Sequence, residues 1–254
     1  MREDLYYDLY IKEQDYWWHV GKRAIVYGLL ARFGKSRKVA GRRALDIGCG
    51  TGLNLEHLAR LAEPVGTDYY VEALQFCRQR GHKMLCKADA AELPYGDGDF
   101  DIITALDVVE HLDDDLAALC EMRRVLRRGG VAVISVPAYR ALWTYWDDIL
   151  GHRRRYTTTT LRAVVEKSGL KVLKVSYSNM LTLFPATAVR ILKAFAQRAS
   201  DSRHQPKEPE SDFVPLPGWL NKVLIAYYQV EAKALRRVNL PFGLSVVCVA
   251  RRED

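Results

Sequence analysis

The chain has 254 residues, 49% of them hydrophobic and 27% charged, an ordinary globular balance with room for one domain carrying a sizeable insertion. Its net charge of +7 suits an anionic substrate, an anionic membrane surface or nucleic acid, or is simply a basic surface. No apolar run approaches the roughly 18 residues of a spanning helix, and the opening lacks the apolar core of a secretory signal. The five cysteines (Cys49, Cys77, Cys86, Cys120, Cys248) form no CxxC pair, so the reading is a cytoplasmic protein with reduced thiols and no metal site.

In chain order, residues 1–40 are aromatic-rich and read as helical. A strand–helix rhythm begins at Arg42: RALDIG and PVGTD as strands, GLNLEHLARLA and YVEALQFCRQRG as helices, then strands in KMLCKAD, FDIITALDVVEHL and VAVISVP. The segment DDLAALCEMRRVLRRGG reads as a helix capped by aspartates and closed by its glycines. TTTTLRAVVEKSG is a further helix, and LKVLKVSYSN and LSVVCVARR are the last strands. Apolar strands alternating with helices predict a parallel sheet covered on both faces. Between the last two strands lies an insertion with an apolar helix over 181–197, a polar linker at about 200–215 and an amphipathic helix over 218–238.

The turn DIGCGTG places Gly48, Gly50 and Gly52 where backbone must bend sharply and approach a ligand at the carboxyl end of a strand. It is neither a dinucleotide fingerprint, whose third glycine would fall on Leu53, nor a P-loop. Acids recur at strand ends, Asp46, Asp68, Asp89 and Asp107, and all four are expected along one sheet edge. Such a row repels a pyrophosphate and suits a cationic cofactor. Asp68 is placed to accept from a ribose diol and Asp89 from an amino group, and Asp46 either organises the turn or meets the ligand.

LDIGCGTG, VGTD, KADAAELPYGDGDFDIITALDVVEHL and RRVLRRGGVAVISVP together resemble the successive motifs of the class I S-adenosylmethionine-dependent methyltransferases. The resemblance is strong over Arg42–Pro137 and implies a Rossmann-like α/β fold: a seven-stranded, mostly parallel sheet with an antiparallel last strand, helices on both faces and a helical insertion before that strand. It implies S-adenosyl-L-methionine as cofactor, with Gly48, Gly50 and Gly52 at its methionine part, Asp68 at its ribose, Asp89 and Ala90 at its adenine, and Cys49 among the residues that bind it. The organisation expected is a helical lid over 1–40, a cofactor-binding core over 41–177 with an acceptor loop at 138–156, the insertion over 178–244, and the last strand over 245–254. YWWHVGKR and HRRRY resemble a prokaryotic subgroup often encoded near glycosyltransferases.

Methyl transfer to a hydroxyl needs a proton acceptor. His111 is the first candidate and His152 the second; His19 and Arg23 are expected to approach the cofactor from the lid. The stretch LWTYWDDILGHRRRY offers an acceptor surface: Trp143, Trp146, Asp147, Arg153, Arg155 and Tyr156, joined by Tyr139 and by Trp18 of the lid. At most one or two of the three consecutive arginines can face one ligand. The function expected is methylation of a small polar acceptor, a hydroxyl of a sugar, glycolipid or related metabolite. Nitrogen or phenolic acceptors, an RNA methyltransferase and a non-catalytic cofactor-binding protein are the alternatives. Nucleic acid is the less favoured partner, since no RNA-binding appendage is evident. If the acceptor is lipid-linked, the helices over 181–197 and 218–238 are the natural peripheral membrane dock, although caps and dimer surfaces are commoner uses of such helices.

Overall fold

The computed structural model describes residues 3–34, 41–184 and 216–254. Strands β1 (Arg43–Ile47), β2 (Glu63–Asp68), β3 (Leu85–Lys87), β4 (Phe100–Leu106), β5 (Leu126–Pro137), β6 (Lys171–Ser178) and β7 (Ser245–Arg251) form one sheet of order β3-β2-β1-β4-β5-β7-β6. Pairing is parallel from β3 through β5, and β7 runs antiparallel to both β5 and β6, as the Rossmann-like expectation had it.

Successive side chains of a strand point to opposite faces, so adjacent apolar residues serve two cores. Leu45, Ile103, Ala132 and Cys248 pack with α5 (Asp115–Val125) and α7 (Thr158–Lys167) on one face. Ala44, Ile102, Val131 and Val249 pack with α2 (Trp17–Phe33) and α8 (Gly218–Leu235) on the other. Two covered faces are why these strands are apolar throughout rather than alternating.

Caps set the helix starts. Asp114 accepts from the Ala117 N–H at 2.9 Å to open α5, and Thr157 and Thr160 bond reciprocally to open α7. The end of α5 departs from expectation. It stops at Val125, not at the glycines, because Leu126 turns extended and pairs with Phe100, so β5 begins four residues earlier than Gly130. Gly129, at φ 77°, then gives its N–H to the Arg252 carbonyl at 2.7 Å.

The first forty residues divide into two roles. Helix α2 is core: Ile25, Val26, Leu29 and Leu30 are at most 3% exposed. Only α1 (Glu3–Lys12) lies over the sheet edge, docked on α4 (Val71–Gln79) with Tyr10 and Phe76 ring centroids 5.1 Å apart. Residues 35–40 of the expected lid lie outside the described residues.

Helix α8 lays its inner face on α2. Tyr228 is fully buried, 5.6 Å from the Trp17 ring, and a Cβ on Gly21 would sit 2.5 Å from its ring carbons. This is the intramolecular packing that the amphipathic pattern shares with a membrane dock; Trp219, Val223 and Val230 remain on the outward face. The expected helix over 181–197 enters the described residues only up to Phe184, and the linker at about 200–215 lies outside them. No described helix is long and apolar enough to cross a membrane.

Candidate functional site

The chain leaves β1 toward β2 and β3 on one side and returns to β4 on the other, so strand order reverses beside β1 and a crevice opens at its carboxyl end. The glycine turn lies there, followed by α3 (Leu53–Leu58). Gly48, Gly50 and Gly52 all have left-handed φ, at 66°, 54° and 89°. A Cβ on Gly48 would stand 2.4 Å from Val108 Cγ2, so packing as well as conformation demands glycine there. Above Gly50 there is room: a Cβ would meet only Leu9 Cδ2 of α1, at 3.9 Å.

The four acids do not all reach the edge. Asp46, opposite Thr104 in the β1–β4 register, turns into the sheet, where Thr104 Oγ1 donates to it at 2.6 Å and Asn54 Nδ2 at 2.8 Å. It is 2% exposed, and burial pushes its carboxyl up to about 7 despite both donors. Of its two expected roles, this geometry serves organisation of the turn. Asp68 accepts from the Gly50 N–H at 2.9 Å and the Tyr70 N–H at 3.0 Å, with its carboxyl raised by burial. Asp89 is exposed and accepts from the Ala91 N–H at 2.8 Å, with Ala90 buried beside it. Asp107, at φ 56°, is paired with Lys22 and accepts from Ser135 Oγ at 3.3 Å.

Helix α1 closes over the turn. Glu13 accepts from Thr51 Oγ1, and Arg80 ties the two together, bonding Glu13 Oε1 at 2.8 Å and the Thr51 carbonyl at 2.9 Å. Tyr6, 4% exposed, has its phenol pushed up by burial and then by the charge of Asp68. Two cofactor-side expectations change. Arg23 is spent on the α1–α2 connection, donating to the carbonyls of Glu13 and Gln14 at 2.7 and 3.0 Å. Cys49 contributes backbone only, since its thiol is 5% exposed in the core, 3.7 Å from Cys77. His19 packs near Tyr16, and burial, then Lys22 and Arg23, push its imidazole down to about 3.

The acceptor loop folds back on the β4 edge. Val109–His111 is a short 3-10 turn, and the His111 and His152 rings meet edge to face with centroids 4.7 Å apart. Burial, then His152, push His111 down to about 4, so its imidazole is neutral near pH 7. His152 Nδ1 donates to Asp147 Oδ1 at 2.8 Å, leaving Nε2 as its other nitrogen. Asp147, on α6 (Tyr145–Leu150), is 1% exposed and also receives Arg155 Nε at 2.7 Å, Arg155 Nη2 at 3.0 Å and the Thr144 N–H at 2.7 Å. Burial raises its carboxyl, but these donors together hold it well below the usual range.

These bonds correct part of the acceptor surface. Asp147 and Arg155 are a buried brace, and Tyr156, 4% exposed, donates its hydroxyl to Asp115 at 2.7 Å. Arg153 points outward to Asp113 at 3.2 Å, and Arg154 is held by Asp115 at 3.0 Å. All three arginines therefore have acidic partners within the chain. Aromatic faces remain: Tyr139 stacks on Tyr177 at 4.9 Å, Trp143 donates to Asp148 at 3.1 Å, and Trp146 is half-buried on α6. Trp18 carries the Lys22 ammonium 5.5 Å above its ring, next to Asp107.

Glu110 is the residue that sequence reasoning passed over. It is 0% exposed, and among the described residues neither carboxylate oxygen meets a hydrogen-bond donor beyond Glu110's own backbone N–H. The available signal was an acid directly before the candidate His111, past a strand end.

Residues 45–134 match the model of a methyltransferase domain. Residues 45–134 thus form a methyltransferase domain, similar to those of the class I S-adenosylmethionine-dependent methyltransferases. It is 31% identical over 166 residues to a protein of Mycolicibacterium smegmatis named a probable S-adenosylmethionine-dependent methyltransferase, covering 64% of this chain and 62% of that one. It is 31% identical over 120 residues to the ubiquinone biosynthesis O-methyltransferase of Methylococcus capsulatus, covering 44% and 50% of the two. The chain thus spans less than two thirds of these relatives. Among solved structures, the methyltransferase fold recurs in the complex of the Haloferax volcanii Trm112 methyltransferase activator with its methyltransferase (TM-score 0.60, 15% identity, all of both chains). It recurs again in Haemonchus contortus phosphoethanolamine N-methyltransferase 2 with S-adenosyl-L-methionine (TM-score 0.57, 16% identity, 92% of this chain and 53% of that one).

The cofactor of such a domain is S-adenosylmethionine, and the methyltransferase turn fits it in two respects. The space over Gly50 is what a Cβ would begin to fill, and the carboxylates of Asp68 and of Asp107, the latter paired with Lys22, border the turn, where negative charge suits a sulfonium.

Proposed function

We propose that the chain transfers a methyl group from S-adenosylmethionine to a hydroxyl of a small polar acceptor, a sugar, glycolipid or related metabolite. The observation that carries the reading is the junction of two sites: Val108 seals against Gly48, and three residues later His111, neutral, meets His152 under the acceptor loop.

When bound, S-adenosylmethionine supplies an electrophilic methyl group on a sulfonium. Gly48–Gly52 and Asp68 are the residues assigned to hold it, with Asp89 and Ala90 toward the adenine. Helix α1, pinned through Glu13 and Arg80, keeps water from the turn. The acceptor oxygen lies against the His111–His152 pair, whose lone pairs favour an oxygen that is losing its proton. Tyr139, Trp143 and Trp146 offer flat faces for a sugar ring. The outward Trp219, Val223 and Val230 of α8 support a lipid-linked version of the same acceptor.

The test is incubation with methyl-labelled cofactor and fractionated sugar, lipid and RNA extracts. Label in an alkali-stable ether of a sugar or lipid fraction supports the reading. Label in RNA, or cofactor binding with no transfer to any fraction, overturns it.

A further inference from the structure

We propose that Glu110, His111 and His152 bind one divalent first-row transition-metal ion, of the Zn2+, Mn2+ or Co2+ kind, on the acceptor side of the methyltransferase turn. One ligand atom from each of the three lies within 4.8 Å of the others. The expectation of no metal rested on the absence of paired ligands in the sequence. Here two ligands leave the β4 edge side by side, and the third returns with the acceptor loop.

The chief observation is the state of Glu110. A fully buried carboxyl that, among the described residues, meets no side-chain donor and no N–H beyond its own is costly whether charged or neutral. The cations whose charge reaches it are already committed: Lys22 to Asp107, and Arg155 to Asp147 and the Ala138 carbonyl. A dication between Glu110 and the two imidazoles supplies the missing partner.

The surroundings have the form that metal-bound histidines take. Such a histidine gives its other ring N–H to a carboxylate or carbonyl, fixing tautomer and ring plane. His152 gives Nδ1–H to Asp147, itself locked by Arg155 and Thr144, and His111 has a backbone hydrogen bond with Gly151. Each ring keeps one nitrogen for a ligand. Two imidazoles and a carboxylate suit zinc, manganese or cobalt, and three protein ligands leave open positions. Asp107 stands alongside, occupied by Lys22 and Ser135.

Its role, unlike its existence, rests on the methyl-transfer reading. An acceptor hydroxyl bound at an open position loses its proton to solvent near neutral pH. The oxygen–methyl bond then forms as the sulfur–methyl bond breaks, yielding a methyl ether and a neutral thioether. The histidines act as ligands here, and direct proton transfer to them is replaced.

The test measures binding and requires no turnover. Chelator-treated full-length protein is titrated with Zn2+ and Co2+ by calorimetry and visible absorption, and with Mn2+ while imidazole resonances are followed by NMR. Expected are one ion per chain at micromolar or lower concentration, cobalt bands of a nitrogen–oxygen site, and selective broadening of His111 and His152. Affinity falls by about tenfold or more in Glu110→Gln and in His152→Ala. No uptake by the wild type, equal uptake in variants that melt cooperatively, or broadening of other histidines overturns the proposal. Should a variant fail to fold, the wild-type NMR pattern decides.

Discussion

The turn side and the loop side of the site are built on opposite principles. On the turn side, Asp46 and Asp68 are tied to elements adjacent in the chain or the sheet: Thr104 across one strand pairing, Asn54 on the next helix, and the N–H groups of Gly50 and Tyr70. On the loop side, two buried carboxylates stand close together in contrasting states. Asp147 accepts from His152, Arg155 and Thr144, while Glu110, among the described residues, accepts from no side chain and meets no N–H beyond its own. The lesson is that a sheet edge positions backbone cheaply, whereas a long loop needs a charged brace to present a pair of histidines.

The comparison breaks most readily at Asp147. Asp147→Ala leaves Arg155 and His152 facing a buried void and should cost about 3–5 kcal/mol, read as a lower midpoint in urea melts. The Asp68 side should fold on in that variant, since the two networks share no residue. A variant that unfolds no earlier than wild type would show the brace to be dispensable.

Titration separates the two sides next. The Asp46 carboxyl sits at about 7 in the fold against 3.8 in the unfolded chain. The folded state therefore binds the extra proton between these values. Its contribution is full below about 4, is lost as pH rises toward 7, and is flat above. The amplitude is at most about 4 kcal/mol. Asp147 has the opposite sign, a depressed carboxyl whose stabilisation is present above its unfolded value and lost only in strong acid. Melts from pH 4 to 8 should show a fall that Asp46→Asn removes; an identical slope in that variant would discard the assignment.

A smaller effect is expected at the seam. Gly48→Ala combines a left-handed φ with a 2.4 Å approach to Val108 and should cost about 2 kcal/mol. Gly81→Ala, also left-handed but with nothing within 4 Å, should cost only the conformational part, about 1–2 kcal/mol. Equal destabilisation of the two would mean that Val108 simply moves aside.

The smallest effect is the most specific. Asp68→Ala should weaken cofactor binding by about tenfold, near 1.4 kcal/mol, in calorimetry. Because Asp68 also caps the Gly50 N–H, Asp68→Asn separates the roles: it keeps one acceptor oxygen for the turn and removes the charge. Wild-type affinity in both variants would detach Asp68 from the cofactor.

The fold and the backbone of the glycine turn were legible in the sequence because they rest on local chemistry. Glycines that must take positive φ, apolar strands of two-sided burial, threonine and aspartate caps, and acids one strand–helix unit apart all leave marks along the chain. The end of α5 was misread because pairing of Leu126 with Phe100 overrode the glycine signal. Arg23, Arg155 and Tyr156 look like ligand contacts in one dimension. Only the folded loops turn them inward: Glu13 lies 10 residues from Arg23 and Asp147 8 residues from Arg155, across irregular turns that no periodic pattern reports, and Asp115 reaches Tyr156 from 41 residues away. Glu110 carried no mark beyond its neighbour His111, since an absent partner is a property of three-dimensional surroundings. Sequence determined where backbone could bend and which strands would be buried, since those depend on each residue's own shape and polarity. Tertiary structure decided which charges are satisfied, since that depends on which other charges fold up beside them.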